Sequence, residues 1–126
     1  MNSLSNPEMR TNQVLITSMI LNKYGKQSLM KKLYIIVRKD LSPSQRAVQA
    51  GHAVAEFLLR GPNFRWNNGT LIYLGVKGLK QLENIKRNLE YTGVNYVEFR
   101  EPDLNNETTA IASEQDCRIF ERLNLL

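Results

Sequence analysis

The sequence contains a single cysteine and a single histidine, Cys117 and His52. One cysteine cannot form an internal disulfide, and one cysteine with one histidine cannot supply the four ligands of a structural zinc site. The shortage of thiols fits a reducing cytoplasm, where we expect the protein to be located with Cys117 as a small core residue. We therefore expect neither a disulfide nor a bound metal.

Long hydrophobic runs are also missing from the sequence. The apolar run near the amino terminus, Val14 to Leu21, covers eight residues, which is far short of the roughly 20 that span a bilayer. It also lacks the basic start and the small-residue cleavage pattern of a secretory signal. With 42% hydrophobic and 23% charged residues, the composition is that of an ordinary globular domain, and we expect no membrane partner.

Acidic residues are fewer than basic ones. The chain has 17 lysines and arginines against 12 aspartates and glutamates, a formal net charge of +5. A basic surplus favours an anionic partner such as RNA, but here the basic residues are spread along the chain without a dense run. Because many small basic proteins bind no nucleic acid, charge alone leaves the question of RNA binding open.

The first 30 residues differ in composition from the rest, being rich in asparagine, serine and threonine. We interpret residues 1–30 as an amino-terminal extension that the fold does not require. Three interpretations are open: the extension is disordered, it contains a short accessory helix, or translation starts at Met30. The remaining residues, 31–126, have the length of one ordinary domain with its own core.

In residues 31–126, strand-like and helix-like segments alternate. Short β-branched and aromatic runs predict strands, and apolar residues at helical spacing predict helices. The predicted strands are Leu33–Val37, Thr70–Val76, Asn95–Phe99 and Thr108–Ala112, and the predicted helices are Ser42–Arg60, the stretch from Leu79 to Gly93, and Glu114–Leu123. This alternation is typical of an α/β layer fold, in which strands joined through helices tend to be parallel.

The helix that begins after Ser42 is the most informative segment. Ser42 suits the N-cap and Pro43 suits the first turn. Helical periodicity predicts one broad apolar side, which comprises Ala47, Val48, Gly51, Val54, Ala55 and Leu58, and an apolar flank that extends it, which comprises Ala50, Ala53 and Phe57. What remains is a narrow polar stripe, which comprises Gln45, Gln49, His52 and Glu56. A polar stripe on an otherwise apolar helix indicates either a functional site around His52 or a solvated face.

A polar loop follows the third predicted strand and runs from Arg100 to Thr109. Sites of α/β sheets commonly lie at the carboxyl ends of strands. Glu101 or Asp103 could orient the imidazole of His52, or act beside it as a base that activates water, provided that hydrogen-bonding distance is reached. The alternative is an ordinary polar turn without a chemical role.

Basic residues surround the start of the Ser42–Arg60 helix. A helix amino terminus presents free N–H groups and partial positive charge, to which Arg38, Lys39 and Arg46 would add. The connecting loop lacks the glycines of a P-loop or a dinucleotide-binding fingerprint, so we expect no nucleotide cofactor. These residues would instead bind RNA phosphates, unless Arg38 and Lys39 form a solvated strand end paired with Asp40.

Taken in order, these segments resemble the type II peptidyl-tRNA hydrolases over about Lys31 to Leu126. The resemblance rests on the opening YIIVRKDL, the helix motif Gln49-x-x-His52-Ala53, and a tail in which an acidic loop leads into TTAIA at residues 108–112. It implies a cytoplasmic hydrolase that cleaves the ester between a peptide and the 3′ end of tRNA, with no metal or organic cofactor. It also implies a four-stranded mixed sheet flanked by helices, and it leaves a homodimer open.

The resemblance also implies roles for individual residues. Gln49 and His52 match the family's helix motif, Thr109 matches a threonine near its site, and its aspartate corresponds to Glu101, or to Asp103 if the loop shifts. We expect a base or water-orienting imidazole, an acidic partner, and amide or hydroxyl donors to the developing oxyanion. The expected site comprises His52, Glu101, Asp103, Gln49, Thr108 and Thr109.

The sequence departs from the family pattern at Gln45, where the family usually has a lysine. The alternative to an enzyme is therefore an inactive relative that binds tRNA, another RNA or a protein partner on the same surface. In the enzyme, Arg38, Lys39 and Arg46 would hold tRNA phosphates in a salt-sensitive interaction.

Overall fold

The computed structural model describes residues 19–21, 27–29 and 31–126. In the amino-terminal part, strand β1 (Met19–Leu21) pairs antiparallel with strand β2 (Gln27–Leu29) in a separate two-stranded sheet. The accessory helix considered for the apolar run from residue 14 falls largely outside the described residues, and its last three residues form β1 instead of a helix.

Residues 31–126 form a five-stranded mixed sheet with helices on both faces. The elements are β3 (Lys32–Arg38), α1 (Pro43–Arg60), β4 (Thr70–Val76), α2 (Leu79–Thr92), β5 (Val97–Glu101), β6 (Glu107–Ser113), α3 (Arg118–Glu121) and β7 (Asn124–Leu125). The predicted α/β class is confirmed. The sheet has five strands instead of the predicted four because the two-residue strand β7 pairs with the outer side of β4.

The carboxyl-terminal segment differs from the prediction in its helix. The sequence predicts a helix over Glu114–Leu123, but α3 is a single turn. The backbone N–H of Gln115 donates to the Ser113 hydroxyl at 3.2 Å, a local side-chain bond of the kind that competes with a helical turn. The side chain of Glu114 accepts the backbone N–H of Arg65 at 2.8 Å. After α3 the chain extends along β4, where the N–H of Leu126 donates to the carbonyl of Tyr73 at 3.0 Å.

Strand order and direction place three strand ends along one edge. The order is β5-β6-β3-β4-β7, in which β3 and β4 are parallel and β6 lies antiparallel between β5 and β3. The strand β5 therefore runs in the same direction as β3 and β4, and all three carboxyl ends lie on the same side of the sheet. Both long helices also begin there, since α1 follows β3 and α2 follows β4. We call this side the carboxyl edge.

A hydrophobic cluster lies on each face of the sheet. The cluster under α1 comprises Leu33, Ile35, Val37, Ala50, Ala53, Phe57, Trp66, Ala110 and Ala112. The cluster under α2 and α3 comprises Tyr34, Ile36, Leu74, Val76, Leu82, Ile85, Leu89, Ile111 and Phe120. Successive residues of β3 enter opposite clusters, which explains why its sequence is continuously apolar.

The predicted ends of the long helices are confirmed. The hydroxyl of Ser42 accepts the backbone N–H of Gln45 at 3.3 Å, as an N-cap does. At the end of α2, Gly93 adopts φ 77°, a left-handed conformation that glycine reaches without a steric cost. Within the described part of the chain, no helix is long and apolar enough to cross a membrane.

The predicted apolar surface of α1 is buried only along its flank, where Ala50, Ala53 and Phe57 lie, and the predicted broad side is wrong. Val48 and Leu58, which the periodicity places in the core, are 52% and 48% exposed, whereas Gln49 is fully buried. The buried strip of the helix comprises Gln49, Ala50, Ala53 and Phe57. The two alanines let the helix lie close to the sheet. The buried amide of Gln49 is hydrogen-bonded there at its oxygen by Thr109 and from its nitrogen to Glu101, which offsets the cost of its burial.

A β-bulge interrupts β6 where it passes β5. Phe99 pairs with Ala110, but the next residue of β5, Arg100, pairs with Thr108, so Thr109 is an additional residue in β6. A bulge breaks the alternation of side chains between the two faces of a sheet. As a result, Thr109 and Ala110 both face α1.

Candidate active site

A buried amide joins α1 to two strands near the carboxyl edge. The hydroxyl of Thr109 in β6 donates to Gln49 Oε1 at 2.6 Å, and Gln49 Nε2 donates to Glu101 Oε1, at the end of β5, at 2.7 Å. Thr109 and Gln49 are both fully buried. Because both ends of the amide are engaged, the orientation of the Gln49 side chain is fixed, and so is one oxygen of the Glu101 carboxylate.

Glu101 is the acidic residue that the structure brings to this cluster. The hydrogen bond from Gln49 and a second from the backbone N–H of Asp103, at 3.2 Å, lower the pKa of the Glu101 carboxyl, with a smaller contribution from His52. The carboxylate is therefore ionised at neutral pH. Asp103 lies in a 3-10 turn after β5, and its side chain is exposed and makes no hydrogen bond within residues 31–126. It contributes its backbone to the site.

The imidazole of His52 lies flat against Phe99 of β5. The ring centroids are 4.1 Å apart and the planes differ by 5°. Within residues 31–126 the ring makes no hydrogen bond to Glu101 or Asp103, so the expected contact between the histidine and an acid is absent there. His52 is exposed, and it is the smallest of the causes that lower the pKa of Glu101. The site therefore presents an accessible imidazole beside a fixed carboxylate.

Thr108 lies apart from this cluster. On the α2 face of the sheet, its hydroxyl donates to Glu98 Oε1 at 2.6 Å and accepts a hydrogen bond from Lys86 Nζ at 3.0 Å. Lys86 also bonds Glu98 at 2.7 Å. The two neighbouring threonines of the predicted site thus belong to separate networks, one under each helix, and only Thr109 reaches Gln49.

Sequence reasoning missed two residues that shape this region. Phe99 precedes Glu101 by two positions in one strand, so the alternation of a strand places both on the same face. Lys86 follows Leu82 by four positions and precedes Leu89 by three, which puts it on the buried stripe of α2. Both signals are present in the sequence. The first becomes informative only once α1 is known to lie against β5, and the second only once Lys86 is known to reach Glu98 and Thr108.

Arg38 is held inside the protein by two carboxylates. Its guanidinium bonds Asp40 at 2.8 Å and Glu107 at 2.8 Å, and its side chain is 8% exposed. A third bond joins it to the carbonyl of Thr108 at 3.3 Å. These bonds raise the pKa of the guanidinium, and Arg38 in turn lowers the pKa of the Asp40 carboxyl. In this arrangement Arg38 connects β3 to β6 and has no surface left for a phosphate.

The other two predicted RNA-binding residues differ in their accessibility. Arg46 is half-buried and donates from Nε to the carbonyl of Leu41 at 2.8 Å and from its terminal nitrogen to that of Lys39 at 2.6 Å, which closes the loop before α1. Lys39 is exposed, and its stem crosses Gly75 so closely that a Cβ there would lie 2.4 Å from Lys39 Cδ. Among the described residues, Lys39 is thus the one of the three predicted cations whose side chain makes no hydrogen bond or salt bridge.

Two further exposed lysines lie on the carboxyl edge. Lys77 immediately follows β4, and Lys80 lies in the first turn of α2. The N–H of Lys39 donates to the carbonyl of Val76 at 2.7 Å, which places the ends of β3 and β4 side by side. Lys39, Lys77 and Lys80 are therefore exposed cations on this edge. Among the described residues, no group of three or more histidine, cysteine, aspartate or glutamate side chains is arranged to hold a metal.

Comparison with known proteins shows the fold. No protein-family model matches the sequence, and no curated protein matches it. A solved protein of unknown function from Agrobacterium tumefaciens strain C58 is similar to it with a TM-score of 0.56 and 13% identity, over 79% of this chain and 99% of that chain. At this identity the likeness concerns the arrangement of strands and helices alone.

Proposed function

We propose that the protein hydrolyses the ester bond of peptidyl-tRNA, or of N-blocked aminoacyl-tRNA, to release a peptide and free tRNA. The observation that carries the proposal is the cluster in which Thr109 fixes Gln49, Gln49 fixes Glu101, and the accessible imidazole of His52 lies beside that carboxylate. No metal or organic cofactor takes part. A cytoplasmic location and a homodimer stay predictions.

In the proposed reaction, His52 accepts a proton from water as the water oxygen attacks the ester carbonyl. The ester C–O bond then breaks, and the tRNA 3′ oxygen leaves with the proton. The negative charge of Glu101 stabilises the imidazolium that forms, without a direct hydrogen bond between the two. Base catalysis of this kind contributes roughly 10²- to 10⁴-fold, which suits an activated aminoacyl ester.

Gln49 and Thr109 act as positioning residues in this proposal. Both are fully buried, so they do not touch the substrate, and the oxyanion-donor role that the sequence predicts for them is replaced by the orientation of Glu101. Thr108 takes no part, since its hydroxyl is engaged on the opposite face of the sheet. The predicted mechanism is retained for His52 and Glu101 only.

The tRNA would lie along the carboxyl edge. With strands about 4.8 Å apart, the ends of β3 and β4 lie roughly 10 and 14 Å from the end of β5, where Glu101 is located. Lys39, Lys77 and Lys80 therefore flank the proposed site at distances that one tRNA acceptor end can cover. They take the phosphate-binding role in place of Arg38, which is committed to Asp40 and Glu107.

A second candidate function, an inactive tRNA- or RNA-binding protein, is favoured by one specific observation. His52 is stacked on Phe99 and has no hydrogen-bonded acid among residues 31–126, which is a weaker arrangement for a base than a bonded pair. Surface rings also stack well on nucleobases. This candidate keeps the lysine edge and assigns His52 a binding role.

The test is release of labelled peptide from N-acetyl-aminoacyl-tRNA by wild type, His52→Ala, Glu101→Gln and Asp103→Asn. We expect the first two variants to lose roughly 10²-fold or more in turnover with tRNA affinity retained. Asp103→Asn is the matched control, since its side chain is exposed and unbonded within the described range, and it should keep its rate.

Absence of turnover in wild type, together with salt-dependent tRNA binding, would reject the enzyme and support the second candidate. Equal loss in Asp103→Asn and Glu101→Gln would reject the assignment of the acid.

A further inference from the structure

A cavity of about 270 Å³ opens at the end of α1 that lies farther from the proposed site. The last turns of α1, the loop after it, the start of β5 and the segment after β6 form its walls. The residues that line it include Phe57, Asn95, Val97, Glu114 and Gln115. Its volume is just below the ~300 Å³ at which ligand pockets usually begin, so it suits a small group and not a whole nucleotide.

The cavity continues a line of contacts that starts at the proposed site. The helix α1 and the strand β5 run in opposite directions, so residues later in α1 lie beside residues earlier in β5. Two successive pairs are in contact, Gln49 with Glu101 and His52 with Phe99. Farther along, Phe57 and Val97 belong to the same hydrophobic cluster and line the same cavity. We call this line the α1–β5 seam. The first pair fixes the carboxylate, the second presents the imidazole, and Phe57 and Val97 border the cavity.

The geometry of the two elements gives the distance between the imidazole and the cavity. From His52 to Phe57 the helix rises about 7.5 Å, and from Phe99 back to Val97 the strand covers about 6.6 Å. The cavity therefore begins roughly 7 Å from the His52 ring along the seam. An extended peptide covers about 3.3–3.6 Å per residue, so two peptide residues span this distance.

The cavity wall carries an acidic group that no cation neutralises among residues 31–126. The Glu114 carboxylate accepts the backbone N–H of Arg65 at 2.8 Å, and no described lysine or arginine side chain forms a salt bridge with it. A carboxylate has about four acceptor positions, so acceptor capacity remains. Phe57 and Val97 supply apolar surface beside it. An ammonium group attached to an apolar body matches this wall.

We propose that the cavity binds the free amino end of the peptide part of the substrate, two residues from the ester carbonyl. The proposal rests on the hydrolase function and adds a substrate preference to it. A peptidyl ester seated with its carbonyl at His52 extends along the seam, and its α-ammonium group reaches Glu114. Peptides with a blocked amino end lose that contact.

Binding is tested without any hydrolysis. The probe is the dipeptide leucyl-phenylalaninamide, compared with its N-acetyl form at pH 6.5, where the free α-amino group is charged. Backbone amide NMR shifts at Asn95, Val97 and Gln115 should respond to the free dipeptide, and the acetylated form should bind at least roughly tenfold more weakly, as expected when a charged hydrogen bond is lost. Glu114→Gln should remove the difference between the two probes.

Two further variants complete this test. The Glu114→Gln variant keeps an acceptor for the backbone N–H of Arg65. Its matched control is Glu121→Gln, which replaces an exposed acid on α3 and should bind both probes like wild type. Asn95→Phe fills the cavity from a side chain that is exposed and makes no hydrogen bond within residues 31–126, and it should abolish binding while the fold is kept. Equal affinity for both probes in wild type, or no shift at millimolar dipeptide, would overturn the proposal.

Hydrolysis then separates this proposal from the function on which it rests. On dipeptidyl-tRNA, wild type should show a lower KM than on its N-acetyl form, and Glu114→Gln should raise the first KM and leave kcat unchanged. Dipeptide binding without hydrolysis would reject the hydrolase and keep the cavity. Hydrolysis with equal KM for both substrates would reject the cavity and keep the hydrolase.

Discussion

Thr109 and Ala110 are consecutive in β6, yet both face α1. In a regular strand one of them would face α2, but the bulge opposite Phe99 inserts Thr109 as an additional residue. The inserted hydroxyl is the one that donates to Gln49, while Thr108 keeps its bonds to Lys86 and Glu98 on the other face. Because of this one additional residue, Thr109 joins the network under α1 and Thr108 joins the network under α2.

Replacing Thr109 with valine should destabilise the protein. The change leaves Gln49 Oε1 buried without its donor, which costs about 1–3 kcal/mol in the free energy of unfolding. Thr109→Ser retains the hydroxyl and should fall much closer to wild type. Urea denaturation of the three proteins measures the difference, and equal midpoints for the valine and serine variants would contradict the bond.

Gln49→Met should raise the pKa of Glu101. The hydrogen bond from Gln49 is the largest cause of the lowered pKa, so its loss should bring the carboxyl back toward the ordinary glutamate value, and ¹³C NMR titration of the carboxyl carbon measures this. Asp103→Asn, which keeps the backbone donor, is the control. An unchanged titration in Gln49→Met would show that the amide does not hold the carboxylate.

The same bond gives stability a pH dependence with a definite sign. Because the folded pKa of Glu101 lies below the unfolded one, its contribution is present above the ordinary glutamate pKa of about 4.3 and is lost as pH falls through the folded value. Unfolding free energy measured between pH 6 and 3 should therefore fall less steeply in Gln49→Met than in wild type. Parallel curves would argue against this contribution.

Arg38→Gln should affect stability and not RNA binding. The substitution leaves Asp40 and Glu107 without their cation and removes a bond to the carbonyl of Thr108. Since both acids are partly exposed, water screens the loss, and we expect about 1–3 kcal/mol. The slope of log affinity for tRNA against log salt should stay that of wild type. A shallower slope would instead show that Arg38 contacts phosphates.

Neutralising Lys39, Lys77 and Lys80 together should affect RNA binding and not stability, which is the opposite of the effect expected for Arg38→Gln. Removing three phosphate contacts should make the salt slope shallower by about two to three and weaken tRNA binding at low salt, with little change in stability because all three are exposed. Lys31→Gln with Lys32→Gln is the matched control, since these exposed lysines lie at the other end of β3. Equal losses in both sets would indicate non-specific attraction. Filter binding over a salt series measures the slopes.

Local signals in the sequence predicted most of the fold. The apolar run of β3, the Ser42 cap and the glycine at the end of α2 act within a few residues, so their outcome depends little on the rest of the chain. The predicted rotation of α1 about its axis was wrong because helical periodicity assigns the polar residue Gln49 to the solvent-facing side. Its burial is possible only because Thr109 and Glu101, both more than 50 positions away, satisfy its amide.

The candidate site was predictable only in part for the same reason. Its members Gln49, His52 and Glu101 were predicted from the resemblance to the hydrolase family and from the position of Glu101 at the carboxyl end of a strand. The separation of Thr108 from Thr109 follows from a bulge, which depends on the pairing register of β5 with β6 and leaves no local pattern in either strand. Likewise, the salt bridge between Arg38 and Glu107 can be predicted only when Glu107 is known to lie opposite the end of β3.

The position of β6 in the sheet also determines when the sheet can form as the chain is synthesised. This strand is the bridge between β5 and β3, yet in chain order it follows every other long strand of the described sheet. Until residues 107–113 emerge, β5 has no partner in the main sheet, and the faces of β3 and β4 cannot be closed. The protein should therefore gain cooperative stability in a single late step of synthesis, and chains that stop before Glu107 should be protease-sensitive.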